Sequence, residues 1–155
     1  MRLEQILKRE FLNDDLQAKT KTEVLAELSK MIIKGTSKLD QSQILDVLQQ
    51  REKLGSTGIG DGVAIPHGKI AALEELVVAF GRSKNGVDFD SMDGKPVHLF
   101  FLLLAPENYT GQHLKALAKI SKMLKTGNFR RNIMEAKAKN DLYKMIIEQD
   151  EACPL

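Results

Sequence analysis

The chain is poor in cysteine and in long apolar runs. Its 155 residues include one cysteine, Cys153, so an intramolecular disulfide is impossible, and a single unpaired thiol is typical of a reducing cytoplasm. The longest apolar run, Leu99 to Ala105, is far shorter than the roughly 20 residues that span a bilayer, and residues 1–6 lack the apolar core of a secretory signal. We therefore expect a cytoplasmic protein without direct membrane insertion.

Excess charge and aromatic residues are also lacking. The formal net charge is +2, the basic residues form no tract, and aromatic residues make up 5% of the chain. Nucleic-acid-binding proteins usually show a concentrated basic surface, often with aromatic side chains that stack on bases, so we expect no nucleic-acid partner. The length and the absence of a linker or repeat predict a single domain over residues 1–155.

Helices are predicted from apolar periodicity and from capping signals. The first begins at Thr20, where Thr20-x-x-Glu23 has the pattern of a capping box, and ends at Gly35. Residues 1–18 before it could form a short helix or pair with another subunit. The other helices are expected from Asp40 to Gly55, from Thr110 to Gly127, from Phe129 to Ala138 and from Asn140 to Gln149.

Strands are predicted between the second and third helices. Leu76–Phe80 and Val97–Leu104 have nearly continuous apolar side chains, which is typical of buried strands. Val63–Pro66 is expected to be extended, because the residue before a proline is pushed away from helical angles. Apolar strands with helices around them predict an α/β sandwich in which a mixed sheet is flanked by helices.

Two turns are predicted between the apolar strands. Asn85-Gly86 and Asp93-Gly94 are dipeptides that favour tight turns, since both residue types tolerate the backbone angles that such turns require. Between them, Val87–Phe89 is expected to be a short edge element. Both turns would lie at the periphery of the sheet.

The segment from Arg51 to Lys69 is the most informative about function. It contains several glycines, which add no side chain to a core, and then one histidine between Pro66 and Gly68. Its glycine spacing does not fit the dinucleotide-binding fingerprint, because the third glycine of this chain stands at the wrong position. It does not fit the P-loop either, because a P-loop needs Ser or Thr after its lysine. A rigid proline and a permissive glycine would instead present one ring nitrogen of His67, which predicts a nucleophile that carries a phosphoryl group. A loop histidine bonded only to the backbone is the structural alternative.

Arg51 and His113 are the candidates to support His67. Arg51 ends a helix that leads into the glycine-rich segment, and a guanidinium binds phosphoryl oxygens bidentately, although solvated arginines are common at helix ends. His113 lies near the start of a helix, whose positive end would keep the imidazole neutral; alternatively it caps local backbone. His98, inside a strand, is expected to be structural, and Asp61 is the acidic residue of the glycine-rich loop that most merits a test.

The run Arg51-Glu-x-Leu-Gly-Ser-Thr-Gly-Ile-Gly-x-Gly-Val-Ala-Ile-Pro-His67 resembles the active-site pattern of enzyme IIA in the fructose/mannitol family of the bacterial phosphotransferase system. The resemblance implies a single EIIA type-2 domain and a phosphotransferase component that needs no cofactor and no metal. It assigns phosphoryl acceptance to His67, with Arg51 and His113 in the active site. The donor it implies is a phosphohistidine carrier, HPr or its nitrogen-branch relative NPr.

The unbroken glycine-rich run looks most like the nitrogen-regulatory type of this family, whose phosphorylation state regulates partner proteins by contact. A sugar-specific IIA that passes the phosphoryl group to a IIB domain is the alternative within the family. A metal site built from His67, His98 or His113 with an aspartate lacks supporting spacing, and a pure binding module would leave His67 dispensable. A partly apolar docking surface is expected beside His67, supplied by Gly58 to Val63.

Overall fold

The computed structural model describes residues 2–36, 38–108 and 110–152, and Cys153 lies outside them. A short 3₁₀ helix, Leu3–Gln5, precedes the first strand. The strands and helices then follow in the order β1 (Leu7–Asn13), α1 (Lys21–Gly35), α2 (Gln41–Lys53), β2 (Gly58–Gly60), β3 (Val63–Ala64), β4 (His67–Lys69), β5 (Val77–Val87), β6 (Val97–Ala105), α3 (Thr110–Leu124), α4 (Gly127–Glu135) and α5 (Lys139–Ala152).

A six-stranded mixed sheet organises the fold, as the sequence predicts. The strand order is β1-β5-β6-β3-β2, and β4 pairs with β6 beyond the end of β3. Strands β5 and β6 are antiparallel, whereas β1–β5, β3–β6 and β4–β6 are parallel. The side chains of β6 are almost all buried, with Phe101 packed against Phe80 at a ring-centroid distance of 4.9 Å. Strand β6 is therefore the centre of the core, and its two ends position the surrounding segments.

The helix starts that depend on capping are confirmed. The Thr20 hydroxyl accepts a hydrogen bond from the Glu23 amide at 3.3 Å, and the Asp40 carboxylate accepts one from the Ser42 amide at 3.2 Å. Each bond satisfies one of the amides that a helix start leaves without an intrahelical partner. Helix α2 ends at Lys53, slightly before the predicted Gly55. Its last turn carries Arg51.

The predicted turn at Asn85-Gly86 is wrong. Strand β5 continues through this dipeptide to Val87, which pairs with Val97, and the register with β6 shifts between Arg82 and Val87. Gly86 has φ of 90°, so the dipeptide forms an irregularity within a strand and does not end one. The predicted turn at Asp93-Gly94 is present, because the Gly94 amide bonds to the Ser91 carbonyl at 2.9 Å.

The N-terminal segment belongs to the sheet of its own chain. Strand β1 pairs in parallel with β5, placing Leu7 opposite Val78 and Leu12 opposite Phe80. The short helix expected within residues 1–18 is confined to the 3₁₀ turn Leu3–Gln5, and β1 follows it. Within the described ranges 2–36, 38–108 and 110–152, no helix is both long and apolar enough to cross a membrane.

Arg82 of β5 is fully buried although it is charged. Its Nε donates to the Asp14 carbonyl at 3.0 Å, and its Nη1 donates to the carbonyls of Ile133, at 2.9 Å, and Ala136. The last carbonyls of a helix have no intrahelical partner, so Arg82 satisfies acceptors at the end of α4. We call Arg82 and these three carbonyls the Arg82 anchor, since they join β5 to α4 and to the segment after β1.

Candidate functional site

The three residues predicted to form the site come from three separate elements and meet at one end of the sheet. Arg51 lies in the last turn of α2, His67 begins β4, and His113 lies in the first turns of α3. Strand β4 pairs with the C-terminal part of β6, with His67 opposite Leu103, and α3 follows β6 in the chain. The pairing of β4 with β6 is therefore what brings His67 beside His113.

The His67 imidazole is held by hydrogen bonds at both ring nitrogens. Its Nδ1 lies 2.8 Å from the Ile65 carbonyl oxygen, and Arg51 Nε donates to its Nε2 at 3.2 Å. A carbonyl can only accept, so Nδ1 carries the proton and the lone pair is on Nε2. The ring is half-buried, and its Nε2 has the Arg51 Nε–H beside it.

The Arg51 guanidinium is fixed by the turn that follows its own helix. Its Nη1 donates to the Gly55 carbonyl at 2.9 Å while its Nε contacts His67. Gly55 has φ of 143°, in the region that favours glycine, so this turn depends on a residue without a side chain. The bond to a carbonyl within the same turn holds the guanidinium over the imidazole.

His113 packs edge-on against His67. The two ring centroids are 5.4 Å apart with an interplanar angle of 71°. His113 is 5% exposed, and its Nδ1 has no hydrogen-bond partner among the described residues. Burial, followed by the nearby charges of His67 and Lys69, lowers the pKa of His113 to about 4. At neutral pH His113 is therefore uncharged.

Burial also lowers the pKa of His67. The hydrogen bond to Ile65 opposes this shift, the positive charge of Arg51 adds to it, and the negative charge of Glu52 partly offsets it. A lowered pKa keeps the imidazole neutral over a wider pH range on the acidic side. The neutral form is the one that has a nucleophilic lone pair.

A shallow apolar cavity of ≈ 540 Å³ opens beside the two histidines. Leu54 after α2 and Leu114 of α3 lie on its rim, and their side chains are 84% and 61% exposed. The other lining residues come from α2, β4 and α3, namely Val47, Gln50, Arg51, His67, Gly68, Lys69, His113 and Leu117. Gly58 to Val63, the segment expected to supply a docking surface, forms the β2–β3 hairpin at the sheet edge and does not line this cavity.

The glycines of the motif have structural roles around the site. Gly60 and Gly62 have positive φ values of 97° and 77° and form the hairpin turn. Gly68 follows His67, and a Cβ built there would overlap Cγ1 of Val47. The missing side chain lets β4 approach α2 closely enough for Arg51 to reach His67.

Two other residues considered from the sequence lie outside the histidine pair. The Asp61 amide bonds to the Asp93 carboxylate at 3.2 Å, which joins two loops. His98 in β6 has its Nδ1 2.9 Å from the Ser83 carbonyl, as expected for a structural histidine. In the part of the chain that the structure describes, no group of three or more His, Cys, Asp or Glu side chains could hold a metal ion.

Sequence reasoning missed Glu52 and Thr57. Glu52 is buried next to Arg51, and its carboxylate accepts hydrogen bonds from the amide and hydroxyl of Thr57. The adjacency of Glu52 to Arg51 and the position of Thr57 in the same run were visible in the sequence. Helical periodicity alone does not show that a polar residue at a helix end turns inward, so no signal separated Glu52 from a solvated residue.

Comparison with known proteins identifies the family. The family described as "Phosphoenolpyruvate-dependent sugar phosphotransferase system, EIIA 2" matches residues 5–149. A nitrogen regulatory protein from Bradyrhizobium diazoefficiens is 40% identical over 84% of this chain and 85% of its own length. A fructose-specific EIIABC component from Bacillus subtilis is 34% identical over 97% of this chain, which spans only 24% of that larger protein.

A solved structure extends the comparison to the fold. The nitrogen regulatory protein IIA-Ntr from Neisseria meningitidis aligns with a TM-score of 0.86 and 36% identity, over 92% of this chain and 97% of that one. This chain therefore shares its mixed sheet and flanking helices with that protein. The chain belongs to the EIIA 2 family of the phosphoenolpyruvate-dependent sugar phosphotransferase system, whose members are phosphotransferase components that carry a phosphoryl group on histidine.

Proposed function

We propose that His67 accepts a phosphoryl group on Nε2 from a phosphohistidine carrier of the HPr or NPr type, and that the phosphorylation state of this protein regulates partner proteins. The observation that carries the proposal is the hydrogen bond from His67 Nδ1 to the Ile65 carbonyl, which leaves the lone pair on Nε2 beside Arg51. We further propose that residues 1–155 act as one EIIA type-2 domain in the cytoplasm.

The transfer exchanges one nitrogen–phosphorus bond for another. The lone pair of His67 Nε2 attacks the phosphorus in line, and the bond from phosphorus to the donor nitrogen breaks with its electron pair returning to the donor ring. If the second nitrogen of the donor ring is protonated, as Nδ1 of His67 is, the donor leaves as a neutral imidazole. No further proton needs to move, and the Ile65 carbonyl stabilises the positive charge that His67 gains.

Arg51 and His113 support this step in different ways. The Arg51 N–H that now points to Nε2 would lie next to the phosphoryl oxygens once the new bond forms, and would offset their charge. His113 is neutral and packed against the edge of His67, so it can bond to a phosphoryl oxygen without repelling Arg51. Both groups already lie beside His67, so the rearrangement needed is that the Arg51 Nε–H leaves the Nε2 lone pair and moves to a phosphoryl oxygen.

The surface around His67 suits a protein donor. Leu54 and Leu114 expose apolar side chains on either side of the cavity, while Arg51 and Lys69 bring positive charge to it. An apolar surface with a cationic centre favours a partner that presents a phosphorylated side chain among apolar residues. EIIA domains exchange phosphoryl groups with phosphocarrier or IIB partners, in agreement with this surface.

Phosphorylation would also change which proteins bind here. A phosphoryl group adds about two negative charges at neutral pH, and on His67 it would offset much of the positive charge that Arg51 and Lys69 bring to this surface. A regulatory partner that docks on Leu54 and Leu114 would then bind one form in preference to the other. The curated nitrogen regulatory proteins, at up to 40% identity, support this role.

Reconstitution of the phosphoryl chain tests the proposal. We expect the protein to become labelled when it is incubated with labelled phosphoenolpyruvate, enzyme I and the carrier, and His67→Ala to remain unlabelled. His113→Ala is the matched control, since it removes a neighbouring imidazole, and should be labelled more slowly than wild type but to a clear extent. An unlabelled wild type, or a labelled His67→Ala variant, would refute the proposal.

A sugar-transport role is the second candidate. The fructose-specific EIIABC component from Bacillus subtilis is 34% identical to the chain, and its name indicates an EIIA part in a protein with IIB and IIC parts. The phosphorylated protein should be mixed with a purified fructose-specific IIB and the label followed. Rapid transfer to IIB would support sugar transport, whereas retention of the label on His67 would support regulation.

A further inference from the structure

Glu52 lies behind the site and is nearly buried. Its Oε1 accepts a hydrogen bond from the Thr57 amide at 3.1 Å and lies 3.1 Å from Lys21 Nζ, and its Oε2 accepts the Thr57 hydroxyl proton. The carboxylate therefore closes a loop from the last turn of α2 to Thr57. These donors offset the free-energy cost of burying the carboxylate, and the carboxylate in turn holds the donors in place.

The closed loop contains the turn that holds Arg51. The Gly55 carbonyl, which accepts from Arg51 Nη1 at 2.9 Å, lies between Glu52 and Thr57, and the Gly55 amide bonds to the Glu52 carbonyl at 3.1 Å. If Thr57 were released, the position of the Gly55 carbonyl would no longer be fixed at both ends. The first route from Glu52 thus leads to the guanidinium.

A second route leads from Thr57 to His67. The Thr57 carbonyl accepts from the Ile65 amide at 3.1 Å, and the Ile65 carbonyl accepts from His67 Nδ1 at 2.8 Å. Thr57 therefore sets the position of the carbonyl that selects the Nδ1–H tautomer of His67. Both routes start at the Glu52 carboxylate; one ends at the Arg51 guanidinium and the other at the His67 ring. Arg51 Nε and His67 Nε2 are 3.2 Å apart.

Lys21 ties this loop to α1. Its Nζ also lies 3.8 Å from the exposed carboxylate of Asp90 and 4.8 Å from the centroid of the Phe89 ring. The ammonium thus balances the charge of Glu52 at a point where α1 begins. The Lys21 contacts with Glu52, Asp90 and Phe89 lie away from Arg51 and His67, so the hydrogen bonds of the Glu52 side chain lead to the site through Thr57.

We propose that Glu52 is a positioning residue for phosphoryl transfer, acting through Thr57 to set both the guanidinium of Arg51 and the tautomer of His67. The inference rests on the proposed function for its role in transfer. Its structural part, the tautomer and the contact with Arg51, concerns the unphosphorylated protein. The two parts can therefore be tested separately.

The experiment compares Glu52→Met with Glu52→Gln. Methionine fills the space but accepts no strong hydrogen bond, so we expect transfer from the phosphorylated carrier to slow about tenfold, because misplacement by about 1 Å can cost up to about a hundredfold. Glutamine can accept from the Thr57 amide and donate to its hydroxyl, so transfer should stay within about threefold of wild type. Glu27→Met is the matched control, since Glu27 accepts from the Gln17 and Ala18 amides away from the site.

Nitrogen NMR of the His67 ring supplies a readout that a merely structural role would not move. In Glu52→Met we expect a smaller fraction of the Nδ1–H tautomer and a shifted Arg51 Nε–H signal, with neither change in Glu27→Met. A wild-type transfer rate in Glu52→Met would overturn the proposal. A slower rate with unchanged His67 and Arg51 signals would overturn it as well.

If Glu52→Met does not fold, Thr57 variants test the same positioning role. Thr57→Val keeps the shape and loses the hydroxyl, and should slow transfer and shift the His67 tautomer, whereas Thr57→Ser should match wild type. A Thr57→Val variant with the wild-type rate and tautomer would overturn the proposal. If wild-type protein accepts no phosphoryl group on His67, the proposed function fails, yet the tautomer comparison still tests the positioning role.

Discussion

Two arginines of this protein illustrate two uses of a guanidinium. Arg82 is fully buried and donates to three backbone carbonyls, whereas Arg51 is half-buried and divides its bonds between a carbonyl and an imidazole nitrogen. The acceptors of Arg82 are parts of the backbone and cannot be exchanged without unfolding. The Nε2 acceptor of Arg51 belongs to a side chain that can react.

The two arginines differ in whether they can exchange one hydrogen-bond acceptor for another. The Arg82 anchor joins β5, α4 and the segment after β1, so its hydrogen bonds contribute to stability. Arg51 sits on a surface with Leu54 and Leu114 and can move its Nε–H from His67 to a phosphoryl oxygen. One guanidinium therefore stabilises the fold, and the other is positioned for chemistry.

The largest effect is expected when the Arg82 anchor is broken. Arg82→Met should lower the free energy of unfolding by about 3 kcal/mol or more, because each hydrogen bond to a charged group contributes about 1.5 to 3 kcal/mol. Urea denaturation followed by circular dichroism measures this change. Arg51→Met serves as the control and should lower the free energy of unfolding by only about 1 kcal/mol, because Arg51 is half-buried and has one backbone acceptor where Arg82 has three. Equal stability of the two variants would contradict the comparison.

The converse experiment removes Arg51. Arg51→Ala should reduce the rate of phosphoryl transfer at saturating carrier about a hundredfold, the usual cost of losing one donor that stabilises transition-state charge. Rapid-quench measurement of labelled protein gives this rate. Arg131→Ala, which removes an exposed arginine of α4, is the control and should transfer normally. A wild-type rate for Arg51→Ala would show that Arg51 has no part in transfer.

The close approach of β4 to α2 provides a sharper test of geometry. Gly68→Ala should slow transfer about tenfold, because its new Cβ overlaps Cγ1 of Val47 and would move His67 away from Arg51. The double variant Val47→Ala/Gly68→Ala removes the overlapping methyl group and should recover most of the rate. If the double variant is as slow as Gly68→Ala, the spacing argument is wrong.

The exposed leucine after α2 should affect binding and leave the chemistry intact. Leu54→Ser should raise the KM for the phosphorylated carrier several-fold, up to about tenfold, with little change in kcat, because an apolar contact at an interface contributes about 1 kcal/mol. Met92→Ser is matched in exposure, at 78% against 84% for Leu54, and lies outside the cavity lining. A KM that rises equally in both variants would place the docking surface elsewhere.

The last prediction is a gradual effect, the dependence of stability on pH. The pKa of His113 is lowered to about 4, so between that pH and its ordinary value of 6.5 the unfolded chain binds up to about one more proton than the folded protein. Stability should therefore fall as the pH decreases through this range, and fall less steeply in His113→Gln. Urea titrations at several pH values measure the slopes. Identical slopes in the two proteins would contradict the assigned environment of His113.

Local signals predicted most of the helices and part of the sheet. Thr20 and Asp40 cap helices through bonds to residues two or three positions away, so their patterns are visible in sequence. The apolar run of β6 likewise needs little context to be recognised. Asn85-Gly86 has the composition of a turn, yet pairing of Val87 with Val97 on β6 keeps it within β5, because long-range pairing overrides local preference.

The site was predictable to the extent that its residues share one run. Pro66 and Gly68 mark His67, and Arg51 opens the same motif, whereas His113 was connected to them only by the family resemblance. The Arg82 anchor was not foreseen, because the predicted strand ended at Phe80 and no local pattern shows that Arg82 turns into the core. Glu52 was missed because helical periodicity does not show that a polar residue at a helix end turns inward.

The sequence by itself determined the kind of chemistry: a histidine presented between a proline and a glycine, a nearby arginine, and the helices and apolar strands of an α/β fold. Only the tertiary structure decided which nitrogen of His67 is available, because that depends on the distance from Nδ1 to the Ile65 carbonyl. It also decided why His113 is neutral: position near a helix start predicted a neutral imidazole, and burial is the main cause of its lowered pKa. Hydrogen-bond partners and desolvation arise from packing between distant segments, and no local pattern encodes them.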